Sequence, residues 1–266
     1  MGQLAVDLEP WTDRSRRAGE LLRLRPHAEE LLTLYLALLE PQRQAYARAR
    51  QEQPAAPELP AYVAATVLPG ILAATLRAGP EKLRGAAIMR FHDADLHQLI
   101  SRWLRGVELP AIDRYLARAA TTPVLEALPD VAAEACGAPE EWGPRRCPSC
   151  GGKPQLSYFG VSGEALVAAP RYLLCSRCNE SWMYPRMVCP ACGSEDSAAL
   201  PIFADTDQFP NVRADACEVC RQYLLTIDLP KDQNAVPVVD ELAVLPLDLF
   251  VRERGFTKIT PNLMGF

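Results

Sequence analysis

The sequence lacks most of the signatures by which a chain reveals chemistry. It has only three histidines, His27, His92 and His97. His92 and His97 stand five residues apart, which misaligns them on a helix, and His27 stands alone, so all three read as surface or core residues rather than ligands. There is no glycine-rich phosphate loop, no Ser/His/Asp set and no convincing carboxylate pair, so no catalytic residue is expected. Basic residues are not in excess: 28 Lys and Arg against 33 Asp and Glu give a net charge of −5, without a general pull toward phosphate or anionic lipid. Met1–Pro10 shows no basic region followed by an apolar stretch, so no signal peptide is expected. The apolar segment Leu31–Leu39 is nine residues long, flanked by Glu29, Glu30 and Glu40, and is too short to span a bilayer. These absences predict a cytoplasmic protein without membrane insertion, whose thiols stay reduced and whose paired cysteines are ligands rather than disulfides.

What is present divides into two halves. From about residue 12 to 140, apolar residues recur at three- and four-residue steps, as in Ala28, Leu31, Leu32, Tyr35, Leu38, Leu39, Gln42 and Tyr46. Pro41 either kinks that helix or starts a second, Gln51–Pro60 reads as a loop, and Pro69-Gly70 interrupts an apolar helix over Ala61–Leu76. Asp93 is expected to cap a helix ending at Gly106, and Ile112–Ala119 and Val124–Val131 make two further faces. Beyond Trp142-Gly143-Pro144 the pattern becomes strand-like, with Gln155–Phe159 and Arg171–Leu174 pairing across Val161-Ser162-Gly163, further strands at Pro201–Ala204 and Gln222–Ile227, and a helix from Val238 to Arg254 interrupted near Pro246. The expected fold is α+β: an all-helical N-terminal domain (1–143), two tandem rubredoxin-like or zinc-ribbon modules (144–187 and 188–232), and a C-terminal helix and tail (233–266).

Eight of the nine cysteines form four C-x-x-C units: Cys147/Cys150, Cys175/Cys178, Cys189/Cys192 and Cys217/Cys220. Adding 42 to each position of the first two units gives the last two, and the same shift maps Pro148 to Pro190, Gly151 to Gly193 and Arg171 to Arg213. An internal duplication favours one ion held by Cys147, Cys150, Cys175 and Cys178, and a second held by Cys189, Cys192, Cys217 and Cys220. A cross-braced pairing of first with third and second with fourth units is the alternative. Two residues between cysteines let a tight turn aim both sulfurs at one ion, and two such turns complete a tetrahedron closed to water. Gly151 and Gly193 can take positive φ after the second ligand; Asn179 tolerates it at the equivalent place, whereas Arg221 bears a cost, so distortion of the fourth turn is expected. Trp182 and Tyr184 are expected to pack over the second turn, Cys136 to be buried filler, and Arg171 and Arg213 either to offset thiolate charge or to face solvent. All-thiolate tetrahedra suit zinc and single iron alike.

These motifs resemble the formate dehydrogenase accessory proteins called FdhE. The likeness lies in Arg146–Pro154 (RCPSCGGKP), Arg171–Trp182 (RYLLCSRCNESW), Arg186–Gly193 (RMVCPACG) and Cys217–Tyr223 (CEVCRQY). It extends weakly to Leu247-Asp248, Gly255-Phe256, Asn262 and Leu36–Gln42. The resemblance implies a cytoplasmic, non-enzymatic assembly factor that acts on the molybdenum-containing catalytic subunit of a formate dehydrogenase, and it favours iron at the cysteine motifs over zinc. Two other classes compete. A zinc-ribbon nucleic-acid binder is opposed by charge: Arg145–Asp228 holds eight Lys or Arg against nine Asp or Glu, before thiolates add more negative charge. A rubredoxin-like redox switch or electron carrier fits the ligands but leaves the helical domain without a purpose.

Overall fold

The computed structural model describes residues 9–93, 95–137, 143–161 and 169–265, and divides into two compact units at Ala138/Pro139. The expected Trp142 boundary, and Ser162-Gly163 of the expected hairpin turn, lie outside the described residues.

The first unit is helical: α1 (Glu9–Leu24), α2 (Glu29–Glu52), α3 (Leu59–Thr66), α4 (Leu68–Ala78), α5 (Glu81–Asp93), α6 (Leu96–Leu104), α7 (Ala111–Ala127) and α8 (Pro129–Ala135). α2 packs against α1, α4 and α7, burying Leu32, Leu34, Tyr35, Leu38 and Leu39. Two prolines sit inside helices, and each leaves the carbonyl four residues earlier without its usual donor. For Pro123 in α7 that carbonyl is Ala119, and buried Gln42 of α2 donates to it at 2.9 Å. For Pro41 in α2 it is Ala37, and Arg77 of α4 donates to it at 3.3 Å. The neighbouring helices thus replace the missing amides. This is why Pro41 neither ends nor restarts α2, and why the two faces expected at 112–119 and 124–131 belong to one helix up to Ala127.

The cap expected at Asp93 is instead Asp95, whose carboxylate accepts the Gln98 amide at 2.9 Å, while α5 continues through Asp93. Gly106 ends α6 at φ 76°. The stretch Ala56–Ala78 has the length and apolarity of a membrane span, but it breaks at Val67 into α3 and α4, and 44% of its most apolar window is buried.

The second unit is built on one seven-stranded sheet: β1 (Pro154–Phe159), β2 (Arg171–Cys175), β3 (Ser181–Met183), β4 (Ile202–Phe203), β5 (Val212–Cys217), β6 (Gln222–Asp228) and β7 (Thr257–Lys258). The duplication is visible in its order, β3-β2-β1-β6-β5-β4. Each repeat is a three-stranded antiparallel meander, β1-β2-β3 in the first and β4-β5-β6 in the second. The two are zipped by parallel pairing of β1 with β6, Leu156 opposite Leu225 through Phe159 opposite Asp228.

Period-two alternation sends Tyr223, Leu225 and Ile227 into a core with Phe209, Val212, Val244, Leu247, Val251 and Phe256. On the opposite face Leu224 meets Leu173 and Tyr184. The covering segment is α9 (Pro237–Asp240), a 3-10 turn at Glu241–Val244 and α10 (Leu245–Glu253), broken close to the expected Pro246.

A buried charge cluster pins this segment. Lys258 Nζ lies 2.7 Å from Glu241 and 3.0 Å from Asp248, Tyr223 donates to Asp248 at 2.9 Å, and Gln155 donates to Glu241. Burial lowers the affinity of Lys258 for its proton, but the two carboxylates outweigh this and raise its pKa; burial raises that of Glu241.

Candidate metal centres

The structure brings the eight expected cysteines into two quartets, Cys147/150/175/178 and Cys189/192/217/220, with the sulfurs of each quartet all within 4.8 Å of one another. Units pair first with second and third with fourth, so the cross-braced arrangement is not formed. Sulfur separations are 3.6 Å (Cys147–Cys178) and 3.4 Å (Cys150–Cys175) in the first quartet, and 3.8 Å (Cys189–Cys220) and 3.7 Å (Cys192–Cys217) in the second. A disulfide would bring two sulfurs to about 2.05 Å. Four thiolates about 2.3 Å from a central ion form a tetrahedron with edges of about 3.8 Å. The observed distances match that edge, so both quartets fit a four-coordinate ion.

Local geometry explains how the sequence makes each site. The first-turn amides return to ligand carbonyls, Gly151 to Cys147 and Gly193 to Cys189, both at 2.9 Å, with φ of 64° and 83° at the glycines. Gly152 is needed for space rather than for φ: a Cβ there would lie 2.6 Å from Cys175 Sγ and 3.3 Å from Cys150 Sγ. In the partner turns Asn179 and Arg221 adopt φ of 57° and 55°. The distortion expected at Arg221 is therefore absent. Its guanidinium stacks 3.9 Å from the Phe256 ring, donates to the Arg254 carbonyl at 2.7 Å and pairs with Glu218. These contacts offset a left-handed penalty of roughly 1–2 kcal/mol.

The sites differ in exposure. All four ligands of the first are buried, whereas in the second Cys192 is exposed and Cys220 is half-buried. Hydrogen bonds from Cys150, Cys175 and Cys178 hold the Cys147 thiol far below its ordinary range, and the partnership with Cys147 pushes Cys178 up. In the second quartet burial raises Cys189 and Cys220. At Cys192 burial acts upward too, but the Ser194 amide and the neighbouring sulfurs prevail and lower it. A quartet that concentrates negative charge on selected sulfurs can exchange its remaining protons for a cation.

Side chains from the first repeat brace the second. Tyr184 is buried and donates to the Cys189 carbonyl at 3.2 Å, so it seats the second site's first ligand rather than covering the second turn. Trp182 donates to the Pro144 carbonyl at 2.9 Å. Buried Arg171 pairs with Asp215 at 3.3 Å and reaches the carbonyls of Pro185, Arg186 and Val188 on the loop entering Cys189. It therefore clamps backbone, while Arg213 pairs with Asp215 at 2.9 Å. Cys136 is buried outside both quartets, and His27, His92 and His97 are exposed.

Two family models match, the FdhE central domain over residues 146–186 and the FdhE C-terminal domain over 187–264. A "Protein FdhE homolog" of Aquifex aeolicus is 36% identical over 127 residues, 48% of this chain and 44% of that protein. One of Pseudomonas aeruginosa is 30% identical over 195 residues, 72% of this chain and 54% of that protein. The matches thus span about half the length of these curated relatives. The crystal structure of the FdhE protein from Pseudomonas aeruginosa superposes with a TM-score of 0.69 at 21% identity, covering 97% of this chain and 96% of that one, which establishes a shared fold.

Proposed function

Since the chain belongs to the FdhE family through its central and C-terminal domains, we propose that it is an accessory protein of formate dehydrogenase. In this reading it binds the molybdenum-containing catalytic subunit in the cytoplasm and is needed for active enzyme, without catalysing a reaction itself. The observation that supports it most is the pair of four-cysteine quartets, one within each of the two matched domains.

The quartets would each hold one ion, Cys147, Cys150, Cys175 and Cys178 the first and Cys189, Cys192, Cys217 and Cys220 the second. Zinc would tie the turns together, and iron, favoured by the family resemblance, would add one-electron chemistry. The chain's own residues then fix the two turns relative to each other: Tyr184 and Arg171 hold the entry to Cys189, and the β1–β6 pairing makes both sites part of one sheet. The product is a rigid surface that displays both metal turns to a protein partner.

A deletion strain tests this reading. Formate dehydrogenase activity should fall without the gene, return with the wild-type chain, and fail to return with a Cys147→Ser/Cys189→Ser variant, and the catalytic subunit should co-purify with the tagged protein. Normal activity in the deletion strain would dismiss the accessory role. The exposed Cys192 gives one specific reason to keep a redox switch as a second reading. Colourless, air-stable protein with two zinc ions would remove it.

A further inference from the structure

The charge of the second unit is distributed unevenly. A cleft of about 340 Å³ opens between the two first-turn metal loops, lined by Arg145, Arg146 and Lys153 with Pro154, Pro190 and Gln222, and among the described residues no acidic side chain lines it. Its size falls in the range of small-molecule sites, roughly 300–1,000 Å³. Elsewhere in this unit several cations pair with carboxylates, Arg171 and Arg213 with Asp215, Arg221 with Glu218, Lys231 with Asp228, and Lys258 with Glu241 and Asp248, while Arg186 and Arg254 lie over the rings of Phe159 and Phe250. Among the described residues the three cleft cations have no carboxylate partner. Arg145 is oriented by a neutral group, donating to the Ala191 carbonyl at 2.8 Å, which fixes its guanidinium across the second metal loop without a carboxylate partner. Arg146 reaches the Gly151 carbonyl at 3.5 Å.

Three converging cations repel one another, and a bound anion relieves that repulsion while accepting charge-assisted hydrogen bonds. We propose that this cleft binds a small, multiply charged oxyanion, a phosphate or dicarboxylate group of a low-molecular-weight ligand. The planar forks of Arg145 and Arg146 supply directional donors, Lys153 supplies a point charge, and Gln222 offers a neutral polar group at the wall. The alternative role for these cations is to offset the negative charge of the thiolate sites, and the test separates the two. The inference does not depend on the accessory role.

The full chain, loaded with metal, is titrated calorimetrically at low ionic strength with inorganic phosphate and, separately, with succinate, and its metal content is measured before and after. At least one anion should bind once per chain with a dissociation constant of about 1 mM or tighter. Binding should weaken as salt is raised, and it should fall at least about tenfold in an Arg146→Gln/Lys153→Gln variant that keeps both ions. Preference for phosphate or for succinate names the ligand group. If the double variant sheds metal, Lys153→Gln alone provides the comparison and should bind at least about threefold more weakly. No binding of either anion to the wild type, or binding undiminished in the variants, overturns the proposal.

Discussion

Replacing Gly152 by alanine should empty or weaken the first metal site and leave the second intact. The added Cβ would lie 2.6 Å from Cys175 Sγ and 3.3 Å from Cys150 Sγ, whereas ordinary non-bonded contacts are about 3.5–4.0 Å. One sulfur, or the turn that carries it, must therefore move by about 1 Å, against a tolerance of about 0.2 Å in metal–ligand distances. Overpacking of this size costs about 1–3 kcal/mol, which lowers affinity roughly 5- to 150-fold. The second repeat supplies its own control, because Ser194 occupies the equivalent position and already carries a Cβ. Ser194→Ala should keep both ions. The assay is elemental analysis of purified protein, followed by competition with a chromophoric chelator. Two ions in Gly152→Ala, held as tightly as in the wild type, would refute the steric argument.

Chelator should remove the ions in two phases, the second site first, because Cys192 is exposed while the first quartet is buried; a single phase would contradict this order. Gln42→Leu should cost about 1–3 kcal/mol by leaving the Ala119 carbonyl without a donor. Most of that loss should vanish in a Pro123→Ala background, where residue 123 regains its amide, and additive effects in a denaturation cycle would exclude the compensation. Lys258→Met should destabilise the second unit by about 3–5 kcal/mol by stranding two buried carboxylates, measurable as a lower melting temperature. Burial pushes Tyr115 up to about 12, so above its ordinary value of about 10 the unfolded chain releases a proton that the folded chain keeps, and stability falls as pH rises through that interval. Tyr115→Phe should flatten this part of a melting-temperature profile against pH.

The grouping of the cysteines into two quartets was legible in the sequence because duplication constrains their pairing: a 42-residue shift that carries cysteine onto cysteine leaves few other partners. The β1–β2 hairpin was legible for a similar local reason, two strand-like runs close in sequence. What escaped depends on distant partners. Nothing in the composition of β1 marks β6 as its parallel neighbour, because parallel pairing has no short turn to signal it. Pro41 reads as a kink or a restart, and 112–131 as two separate faces, because the donors that complete these helices around Pro41 and Pro123, Arg77 and Gln42, come from other helices. No local sequence pattern marks Lys258, Glu241 and Asp248 as partners, and only the fold buries them together. Arg221 misled in the opposite direction: its backbone penalty is evident from residue type, but the Phe256 ring that offsets it lies 35 positions downstream.

The way the two meanders join has a consequence for self-association. The seam uses the first strand of one copy and the last strand of the other, so the margins left open, β3 and β4, are again a last strand and a first. A head-to-tail contact of that kind does not close on itself and would let molecules string together into open chains. The seam strands run six and seven residues, while their counterparts at the margins run only two and three. Clipping the margins leaves too short a ladder to template another molecule, so the duplication could fuse two copies without licensing a third.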